Sequence, residues 1–455
     1  MKVVLLSFYD IGRQPFGLAS PAAWLQSAGA HVSCQDLAVQ RLDHELIKDA
    51  ALVALYLPMH TATRMAVRVI QQIRVYNPNS HICCYGLYAP LNEQYLLDLG
   101  VDSVLGGEFE EGLVNLYVSL ISSEKARPTS STSLAKQRFV RPDRTGLPAL
   151  SSYAYLDTGD GVRRLVGYTE ASRGCKHMCL HCPVVPVYQG SFRVVQQDVV
   201  LDDIRQQVER GAEHITFGDP DFFNGPGHAL RIVESMHREF PALTYDVTIK
   251  VEHLLAHHEH LETLSRTGCI FITSAVESFD DDVLEKLGKG HTHSDFEEVL
   301  DLCRQAQIHL QPTFVAFHPW LSINDYMAFL QTIARLNLID SVASIQYAIR
   351  LLLPAGSHLL HLAKIRRIAE PFDREKLVYP WQHPDPQVDW LQQTVLSLVT
   401  KAESLKKNRY QLFCDIWHLT KTLLDDDMAR CVAAPSAVPL TPYGSVPSLS
   451  ENWYC

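Results

Sequence analysis

Short apolar runs alternate with helical patterns along most of this 455-residue chain, in two series separated by a polar segment. The runs of the first series are continuously apolar, as in KVVLLSF, ALVALYLP and HICCYG, and amphipathic segments follow them. Continuous apolar strands joined by helices are typical of a parallel sheet that is covered on both faces. We therefore predict an α/β chain whose residues 1–122 form an open, Rossmann-like parallel-sheet domain.

The second series follows a polar, proline-bearing segment at 123–150, which indicates a linker. It has six strand-like runs, from LVGYTEASRG to SVASIQYAIRLLLP, and the box Ser294-x-x-Glu297 predicts the start of one intervening helix. Six such units favour a partial (β/α)6 barrel over residues 151–355, with its site at the carboxyl ends of the strands. A helical region and an extended tail follow the barrel, at 356–427 and 428–455.

Charge and hydropathy argue against two classes of protein. The net charge of -11, from 40 Lys+Arg and 51 Asp+Glu, does not suit a surface committed to nucleic acid. No run approaches the ~20 apolar residues that a membrane helix needs, and the N-terminus lacks a signal-peptide pattern. We therefore expect a cytoplasmic protein with neither a nucleic-acid nor a membrane partner, in which thiols are kept reduced.

Three of the 11 cysteines are clustered within eight positions: Cys175, Cys179 and Cys182. An odd number of cysteines in a reducing compartment argues against a disulfide framework. A zinc site could include His177 and His181, but residues 183–213 offer no further Cys or His to complete a closed ligand set. An iron–sulfur cluster is normally held by four thiolates, so three would leave one iron open to another ligand. These observations leave both kinds of metal site open.

A histidine-rich run, EHLLAHHEHLE, lies further along the chain. It places His253 and His257 four residues apart, as in a helical pair of metal ligands, and also contains His258 and His260. The run lacks the HExxH order, so we expect a solvated helix face.

The spacing Cys175-x-x-x-Cys179-x-x-Cys182 resembles the CxxxCxxC signature of radical SAM enzymes. In that family the three thiolates hold a 4Fe–4S cluster, and S-adenosylmethionine (SAM) chelates the fourth iron. Reductive cleavage of SAM then yields a 5′-deoxyadenosyl radical. The segments GDPDFFN and SAVESFDDDVLEKLGKGHT resemble the family's SAM-binding strand ends, and a histidine stands where an aromatic residue usually precedes the third cysteine. The resemblance implies SAM contacts for His181, Gly218, Asp219, Glu277 and Ser278.

The N-terminal domain resembles the cobalamin-binding domain that precedes the barrel in many radical SAM enzymes. The similar segments include PMHTATRMAVRVIQQIR, YGLYAP and GVDSVLGGEFEEGL. No DxHxxG motif occurs, so the resemblance implies cobalamin held without a histidine lower ligand. The residues implied in binding it are Pro58, Thr61, Gly86, Tyr88, Gly107 and Glu108. A degenerate domain that holds no cofactor is the alternative.

The tail resembles the end of the radical SAM family named after its CUAEP/CCAEP motif, through RCVAAP and the terminal WYC. Val432 occupies the second motif position and Ala434 the acidic one, so the vicinal pair of that family is reduced to one thiol. The tail carries two cysteines, prolines that stiffen it and the terminal aromatic pair Trp453-Tyr454, so we predict that it returns over the barrel mouth and that Cys431 or Cys455 acts in the reaction. A disordered end is the alternative.

These resemblances imply a radical SAM enzyme that functionalises an unactivated carbon of a small-molecule or peptide substrate, with cobalamin-dependent methyl transfer as the expected reaction. Its partners would include an electron donor such as flavodoxin or ferredoxin. Two alternatives stay open. One is a radical SAM enzyme without bound cobalamin that rearranges, oxidises or inserts sulfur into its substrate, and the other is a non-catalytic zinc-binding scaffold.

Overall fold

The N-terminal domain is an open sheet of six parallel strands in the order β2-β1-β3-β4-β5-β6, with helices on both faces. The computed structural model describes residues 1–122, 129–159, 161–425 and 446–451. The strands of this sheet are β1 Lys2–Ser7, β2 His31–Asp36, β3 Leu52–Tyr56, β4 His81–Tyr85, β5 Ser103–Gly107 and β6 Thr129–Ser133. Its helices are α1 Phe16–Ser27, α2 His44–Lys48, α3 His60–Tyr76, α4 Tyr88–Leu91, α5 Glu93–Asp98 and α6 Glu110–Ile121.

Both faces of this sheet are buried, which explains why its strands are continuously apolar. Successive side chains of a strand point to opposite faces. Accordingly, Val4 and Leu6 belong to one apolar cluster and Val3 and Leu5 to another, and all four are 0% exposed. The predicted parallel-sheet domain is confirmed.

The segment predicted as a linker contributes a strand instead. Residues 129–133 form β6, which pairs in parallel with β5 at the sheet edge. This strand consists only of Ser and Thr, so no apolar pattern indicated it. Beyond it, Phe139 is buried, and the buried guanidinium of Arg144 donates to Asp203 Oδ1 at 2.7 Å. The segment therefore packs against the barrel rather than crossing solvent.

The second domain is a partial barrel whose sheet has the order β14-β13-β12-β11-β8-β7-β15. The strands β8, β11, β12, β13 and β14 are parallel to one another, and β7 and β15 are antiparallel to their neighbours. The strands of this domain, with the separate pair β9 and β10, are β7 Tyr155–Asp157, β8 Arg163–Thr169, β9 Ser172–Gly174, β10 Phe192–Val194, β11 His214–Phe217, β12 Thr244–Thr248, β13 Cys269–Glu277, β14 His309–Phe314 and β15 Ser448–Leu449.

The helices of the barrel and of the region after it are α7 Val184–Tyr188, α8 Gln197–Glu209, α9 Pro226–Glu239, α10 Val251–Ala256, α11 Leu261–Arg266, α12 Asp281–Leu287, α13 His293–Gln305, α14 Ile323–Arg335, α15 Ala363–Ile368, α16 Pro386–Ser404 and α17 Arg409–Lys421. Five short 3-10 turns complete the described elements: Leu150–Ser152, Phe222–Asn224, His258–His260, Ser344–Tyr347 and His358–His361. Both α16 and α17 pack on the barrel core, where Leu391 and Phe413 are 0% exposed. No helix of the described residues has the length and apolar character that crossing a membrane requires.

The partial barrel is confirmed, but its sixth strand is reduced to a single contact. The run SVASIQYAIRLLLP forms the turn Ser344–Tyr347 and one parallel bridge between Phe317 and Arg350. Phe317 N donates to Ile349 O at 2.9 Å, and Leu351 N donates to Phe317 O at 2.8 Å. The run is only partly buried, with Leu352 41% exposed, and this one bridge is its only pairing with β14 or the residues directly after it among the described residues.

The C-terminal segment 446–451 spans the gap between the two ends of this sheet. Its strand β15 pairs with β7, while Gln311 Nε2 of β14 donates to Pro447 O at 2.6 Å. Glu451 Oε1 accepts from Tyr9 Oη of the N-terminal domain at 2.7 Å. This part of the tail therefore closes the barrel wall. Cys431 and Cys455 lie outside the described residues.

Helix α13 begins two residues earlier than the sequence predicts. Its capping box is formed by Thr292 and Asp295, because the Thr292 side chain accepts from Asp295 N while Asp295 accepts from Thr292 N. The predicted box at Ser294 and Glu297 is wrong. Both boxes fit the S/T-x-x-acidic pattern, so only the backbone path distinguishes them.

Candidate functional site

The three clustered cysteines lie in a loop at the carboxyl end of β8. This Cys loop, residues 175–183, connects β9 to β10 through α7, and the two strands pair antiparallel at its base. Gly174 enters the loop with φ +76°, and a Cβ there would lie 2.4 Å from Tyr188 Cδ1, so only glycine fits. Cys182 N donates to Cys179 O at 3.2 Å, and Leu180 N donates to Leu287 O at 2.9 Å. The loop is thus folded on itself and attached to the end of α12.

The thiols of the Cys loop are largely shielded from water. Cys179 is buried, and Cys175 and Cys182 are half-buried. Burial raises the pKa of Cys175 to about 11 and that of Cys182 to about 12. Such thiols are protonated at neutral pH, and a metal centre would displace those protons because it binds thiolates. The loop therefore brings three thiols together, and at neutral pH they would become thiolates only on binding a metal.

Glu277 supplies a negative charge beside this loop. It ends β13 with φ +71°, and its Oε1 accepts from Lys289 Nζ at 3.2 Å and lies 3.1 Å from His181 Nε2. Burial opposes ionisation of Glu277, but Lys289 and His181 outweigh it and lower the pKa to about 2. Ser278 follows it and accepts from Asp280 N at 3.0 Å. Glu277 is therefore a fixed carboxylate at the strand end where the sequence predicted one.

Gly218 and Asp219 follow β11 and brace the entry to the Cys loop. A Cβ at Gly218 would lie 1.8 Å from Tyr168 Oη, so the ring needs a glycine there. Asp219 accepts from Ala171 N at 2.9 Å and from Ser172 Oγ at 2.5 Å. Burial raises the pKa of Asp219 to about 7. The structure thus places the Asp219 carboxylate against the turn between β8 and β9.

A cleft that is open to solvent, with a cavity volume of about 340 Å³, lies between the two domains. One wall consists of residues after the N-terminal strands, including Tyr56, Met59, Leu87 and Phe109. The opposite wall is built from the barrel mouth, including Gly174, His181, Cys182, Pro183, Gly218 and Glu277. The cleft joins the carboxyl ends of both sheets, which is where ligands bind in folds of both types.

Three of the residues predicted to bind cobalamin line this cleft: Pro58, Tyr88 and Gly107. Gly107 has φ +66°, and a Cβ there would lie 2.2 Å from Ser133 O. Gly86 instead makes a tight backbone turn with φ +106°, where a Cβ would lie 3.0 Å from Leu57 O.

The other two predicted residues point elsewhere. Thr61 is exposed in the first turn of α3 and does not line the cleft. Glu108 is buried, where its Oε1 accepts from Tyr188 Oη at 3.1 Å and its Oε2 lies 3.6 Å from Arg173. Burial raises the pKa of Glu108 to about 7, with Arg173 opposing the shift. Glu108 thus joins the two domains rather than facing the cleft.

A buried charge network at this junction was missed by the sequence analysis. Arg173 donates to both carboxylate oxygens of Glu110, at 2.9 and 2.7 Å, and to Glu170 Oε2 at 2.6 Å. Its guanidinium also lies 4.7 Å from the Phe109 ring centre. Arg173 and Glu170 line the cleft. The pairing of Arg173 with Glu110 depends on how the domains meet, so no spacing along the chain indicated it.

His253 was expected on a solvated helix face, and this is wrong. Its side chain is 13% exposed, and its Nδ1 lies 2.8 Å from Asp221 Oδ2. The expectation holds for His258, whose side chain is 58% exposed. The run is not one helix, because α10 ends at Ala256 and a 3-10 turn follows.

The fold and the site together define an α/β chain in which a parallel-sheet domain faces the cysteine-bearing mouth of a partial barrel. Residues 169–329 match the family model of the radical SAM superfamily. The chain therefore carries a radical SAM domain and is an enzyme rather than a zinc-binding scaffold. Members of this superfamily use a 4Fe–4S cluster and SAM.

Two curated relatives are methyl-transferring enzymes by name. The chain is 28% identical over 149 residues to bacteriochlorophyllide d C-12(1)-methyltransferase of Chlorobaculum tepidum, covering 32% of each protein. It is 26% identical over 151 residues to hopanoid C-3 methylase of Methylococcus capsulatus, covering 33% of this chain and 29% of that one. A third relative, threonylcarbamoyladenosine tRNA methylthiotransferase MtaB of Thermotoga maritima, is 22% identical over 246 residues, covering 52% of each. The chain thus matches about a third to a half of the length of these relatives.

Two solved structures share the architecture of both domains. The cobalamin-dependent SAM radical enzyme OxsB, solved with aqua-cobalamin, superposes with a TM-score of 0.69 at 15% identity, covering 94% of this chain and 74% of that one. The radical SAM methyltransferase TsrM of Kitasatospora setae, solved with cobalamin and a [4Fe-4S] cluster, gives a TM-score of 0.58 at 16% identity, covering 74% of this chain and 70% of that one. At these identities the similarity shows the fold.

Proposed function

We propose that this protein is a radical SAM enzyme that holds a 4Fe–4S cluster on Cys175, Cys179 and Cys182 and transfers a methyl group from cobalamin to an unactivated carbon. The observation that carries the proposal is the cleft between the domains. It brings Cys182 and the SAM-side residues Gly218 and Glu277 into one space with the strand ends of the N-terminal sheet.

The residues of the Cys loop fit a cluster of this kind. They supply three thiols and no fourth, which leaves one iron for SAM. Lys289 is buried beside the loop, where its positive charge lowers the pKa of Cys182 against the dominant effect of burial. An ammonium in this position stabilises the negative charge of thiolate-bound iron. The fixed carboxylate of Glu277 suits the amino group of SAM.

The cleft also fits cobalamin. Its N-terminal wall offers aromatic and apolar surface and the side-chain-free Gly107. Among the described residues, that wall contains no histidine, which agrees with cobalamin held without a histidine lower ligand. We assign the contacts to Pro58, Tyr88 and Gly107.

When bound, the cluster supplies an electron, SAM the radical precursor and cobalamin the methyl group. The chain's own residues enclose and orient these groups. The pairing of Arg173 with Glu110 holds the barrel against the N-terminal domain, and Glu170 of the barrel orients the same guanidinium, so these buried groups exclude water where the two walls meet. We infer that the substrate is a small molecule or peptide and that the electron comes from a flavodoxin- or ferredoxin-like donor.

The cluster is tested by anaerobic reconstitution. The full chain should bind about four irons and show a visible charge-transfer band. The variant C175A/C179A/C182A should lose both, whereas Cys414→Ala, a half-buried cysteine on α17, should keep both. A band that survives in the triple variant would place the cluster elsewhere.

Cobalamin binding is tested by retention after gel filtration. Leu87→Trp adds bulk inside the cleft and should abolish retention of hydroxocobalamin, whereas Thr61→Trp adds bulk outside it and should not. Retained Co(II) should show no nitrogen hyperfine coupling from histidine. Absence of retention by the unmodified chain would favour a cobalamin-independent reaction.

Sulfur insertion is a second candidate, because MtaB is named as a methylthiotransferase and matches the largest part of this chain among the three relatives. Mass spectrometry of the product distinguishes a methyl from a methylthio group.

A role for Cys431 or Cys455 stays a prediction: truncation after Asp427 should impair product formation more than SAM cleavage.

A further inference from the structure

Three potential metal ligands converge beside the Cys loop. His177 Nε2 lies 3.3 Å from Asp221 Oδ2 and 3.5 Å from His253 Nδ1, and His253 Nδ1 lies 2.8 Å from the same Asp221 oxygen. The side chains are 11%, 1% and 13% exposed, respectively. The two imidazoles and the carboxylate therefore present one atom each to a common, shielded point.

Three separate elements bring these residues together. His177 lies in the Cys loop, Asp221 precedes the 3-10 turn after β11, and His253 lies on α10 after β12. All three elements follow the carboxyl ends of barrel strands. The convergence is therefore a product of the barrel rather than of the histidine-rich run.

The buried carboxylate of Asp221 lies between the two imidazoles. Its Oδ2 is within 3.3 Å of both ring nitrogens, and no well-aligned hydrogen bond joins it to either of them. The separations of 3.3 and 3.5 Å are close to the edge of a tetrahedron around zinc, which is about 3.3 Å when the metal–ligand distances are about 2.0–2.1 Å, and the third separation, 2.8 Å, is shorter. The three donor atoms thus lie near enough to one another to share one metal ion.

The outer contacts of these residues have the pattern of a metal site. His177 turns its other nitrogen, Nδ1, toward Glu252 Oε2 at 3.3 Å. Histidines that bind metal commonly donate this second N–H to a carboxylate, which fixes the tautomer and the ring orientation. The second oxygen of Asp221, Oδ1, accepts from Phe223 N at 3.0 Å. Each of these two groups thus has its remaining polar atom oriented by the protein.

We propose that His177, Asp221 and His253 bind a zinc ion beside the Cys loop, distinct from the cluster held by the three cysteines. Two imidazoles and a carboxylate form a known zinc donor set that leaves a fourth position open. Cys175 Sγ lies within 4.8 Å of the donor atoms of His177 and Asp221, so the ion stands next to the first cluster ligand. Its role is to tie the Cys loop to β11 and α10.

The test separates this ion from the cluster by using the full-length variant C175A/C179A/C182A, which lacks the three thiols. After treatment with a chelator, this variant should retain one equivalent of added Zn²⁺ through gel filtration. X-ray absorption at the zinc edge should show nitrogen and oxygen ligands at about 2.0–2.1 Å and no sulfur. Failure to retain zinc would overturn the proposal, whatever becomes of the cluster.

Single changes in the same background locate the ion. His253→Gln should weaken zinc binding by at least about tenfold, and Glu252→Ala, which removes only the outer partner, by about 10–100-fold. His260→Gln is the matched control in the neighbouring turn and should change nothing. Unchanged zinc affinity in the His253 variant would overturn the assignment, and loss of zinc in the His260 variant instead would place the ion on the partly exposed group His257, Glu259 and His260.

The holoenzyme gives an independent measurement should the triple variant not fold. The reconstituted full chain should contain one zinc in addition to its iron, and His253→Gln should lose the zinc and bind iron less tightly. A reconstituted chain that carries iron but no zinc would contradict the site while leaving the proposed function intact.

Discussion

Glu277 and Lys289 form a buried ion pair, with side chains 8% and 2% exposed. Lys289→Met should lower the free energy of unfolding by about 3–5 kcal/mol at neutral pH, because it leaves the buried carboxylate without its lysine partner and with only His181 beside it. Denaturant unfolding of the cofactor-free protein measures this. The pKa of Glu277 in the folded chain is about 2, below its ordinary value of 4.5, so the contribution is complete above about pH 4.5 and is lost as pH falls toward 2.

Two further variants check this interpretation. The double variant K289M/E277Q should regain much of the lost stability, since no charge is then left unpaired. Lys286→Met, at a half-buried lysine in the last turn of α12, should change stability by less than about 1 kcal/mol. If Lys289→Met is as stable as the control Lys286→Met, the ion pair contributes nothing to stability.

Glu108 should show the opposite pH dependence. Its pKa is raised from 4.5 to about 7, chiefly by burial, so the folded protein binds the proton more tightly than the unfolded chain does. Stability should therefore fall as pH rises from about 4.5 to 7, by up to about 3 kcal/mol. Glu108→Gln should remove this part of the pH dependence. Melting temperatures of the parent and of Glu108→Gln at pH 5 and pH 8 measure this pH dependence. If the variant has the same pH profile as the parent, the prediction for Glu108 is wrong.

At the scale of single elements, the start of α13 offers a direct comparison. Thr292→Ala should destabilise the protein by about 1 kcal/mol, because it removes the side chain that accepts from Asp295 N. Ser294→Ala, at the exposed position predicted from the sequence, should stay within about 0.5 kcal/mol of the parent. Denaturant unfolding of both variants decides which residue caps the helix.

Element scale also shows where sequence patterns succeed and fail. The strands β1, β3 and β4 were evident because both of their faces are buried. In contrast, β6 consists of Ser and Thr and pairs only through its backbone with β5. Hydrogen bonding of the backbone carries no side-chain signal, so an edge strand of this kind is invisible to hydrophobic periodicity.

For the whole molecule, the C-terminal segment 446–451 acts as the closing element of the barrel. Truncation after residue 445 removes β15 and its pairing with β7. It also removes the flanking residues that accept hydrogen bonds from Tyr155, Gln311 and Tyr9. The loss should amount to about 2–4 kcal/mol at roughly 1 kcal/mol for each hydrogen bond. It should also increase proteolysis at the barrel edge, since β7 becomes an unpaired edge.

Truncation after Glu451 is the matched control, because it removes Cys455 but keeps β15. It should leave the melting temperature unchanged. If both truncated proteins melt at the same temperature as the full chain, then the segment does not stabilise the barrel. Comparing product formation by the two proteins would further separate the structural part of the tail from any role of Cys455.

The sequence alone determined the order of the two α/β units and the cysteine spacing of the Cys loop. Both are local properties: apolar periodicity follows from which faces are covered, and a loop motif is complete within eight positions. Only the tertiary structure decided which residues from distant parts of the chain contact one another. The pairing of Arg173 with Glu110, the convergence of His177, Asp221 and His253, and the return of β15 to β7 join distant parts of the chain. Such contacts depend on the curvature of the barrel and on where the domains meet. Neither of these produces a hydrophobic period or a motif spacing in the sequence.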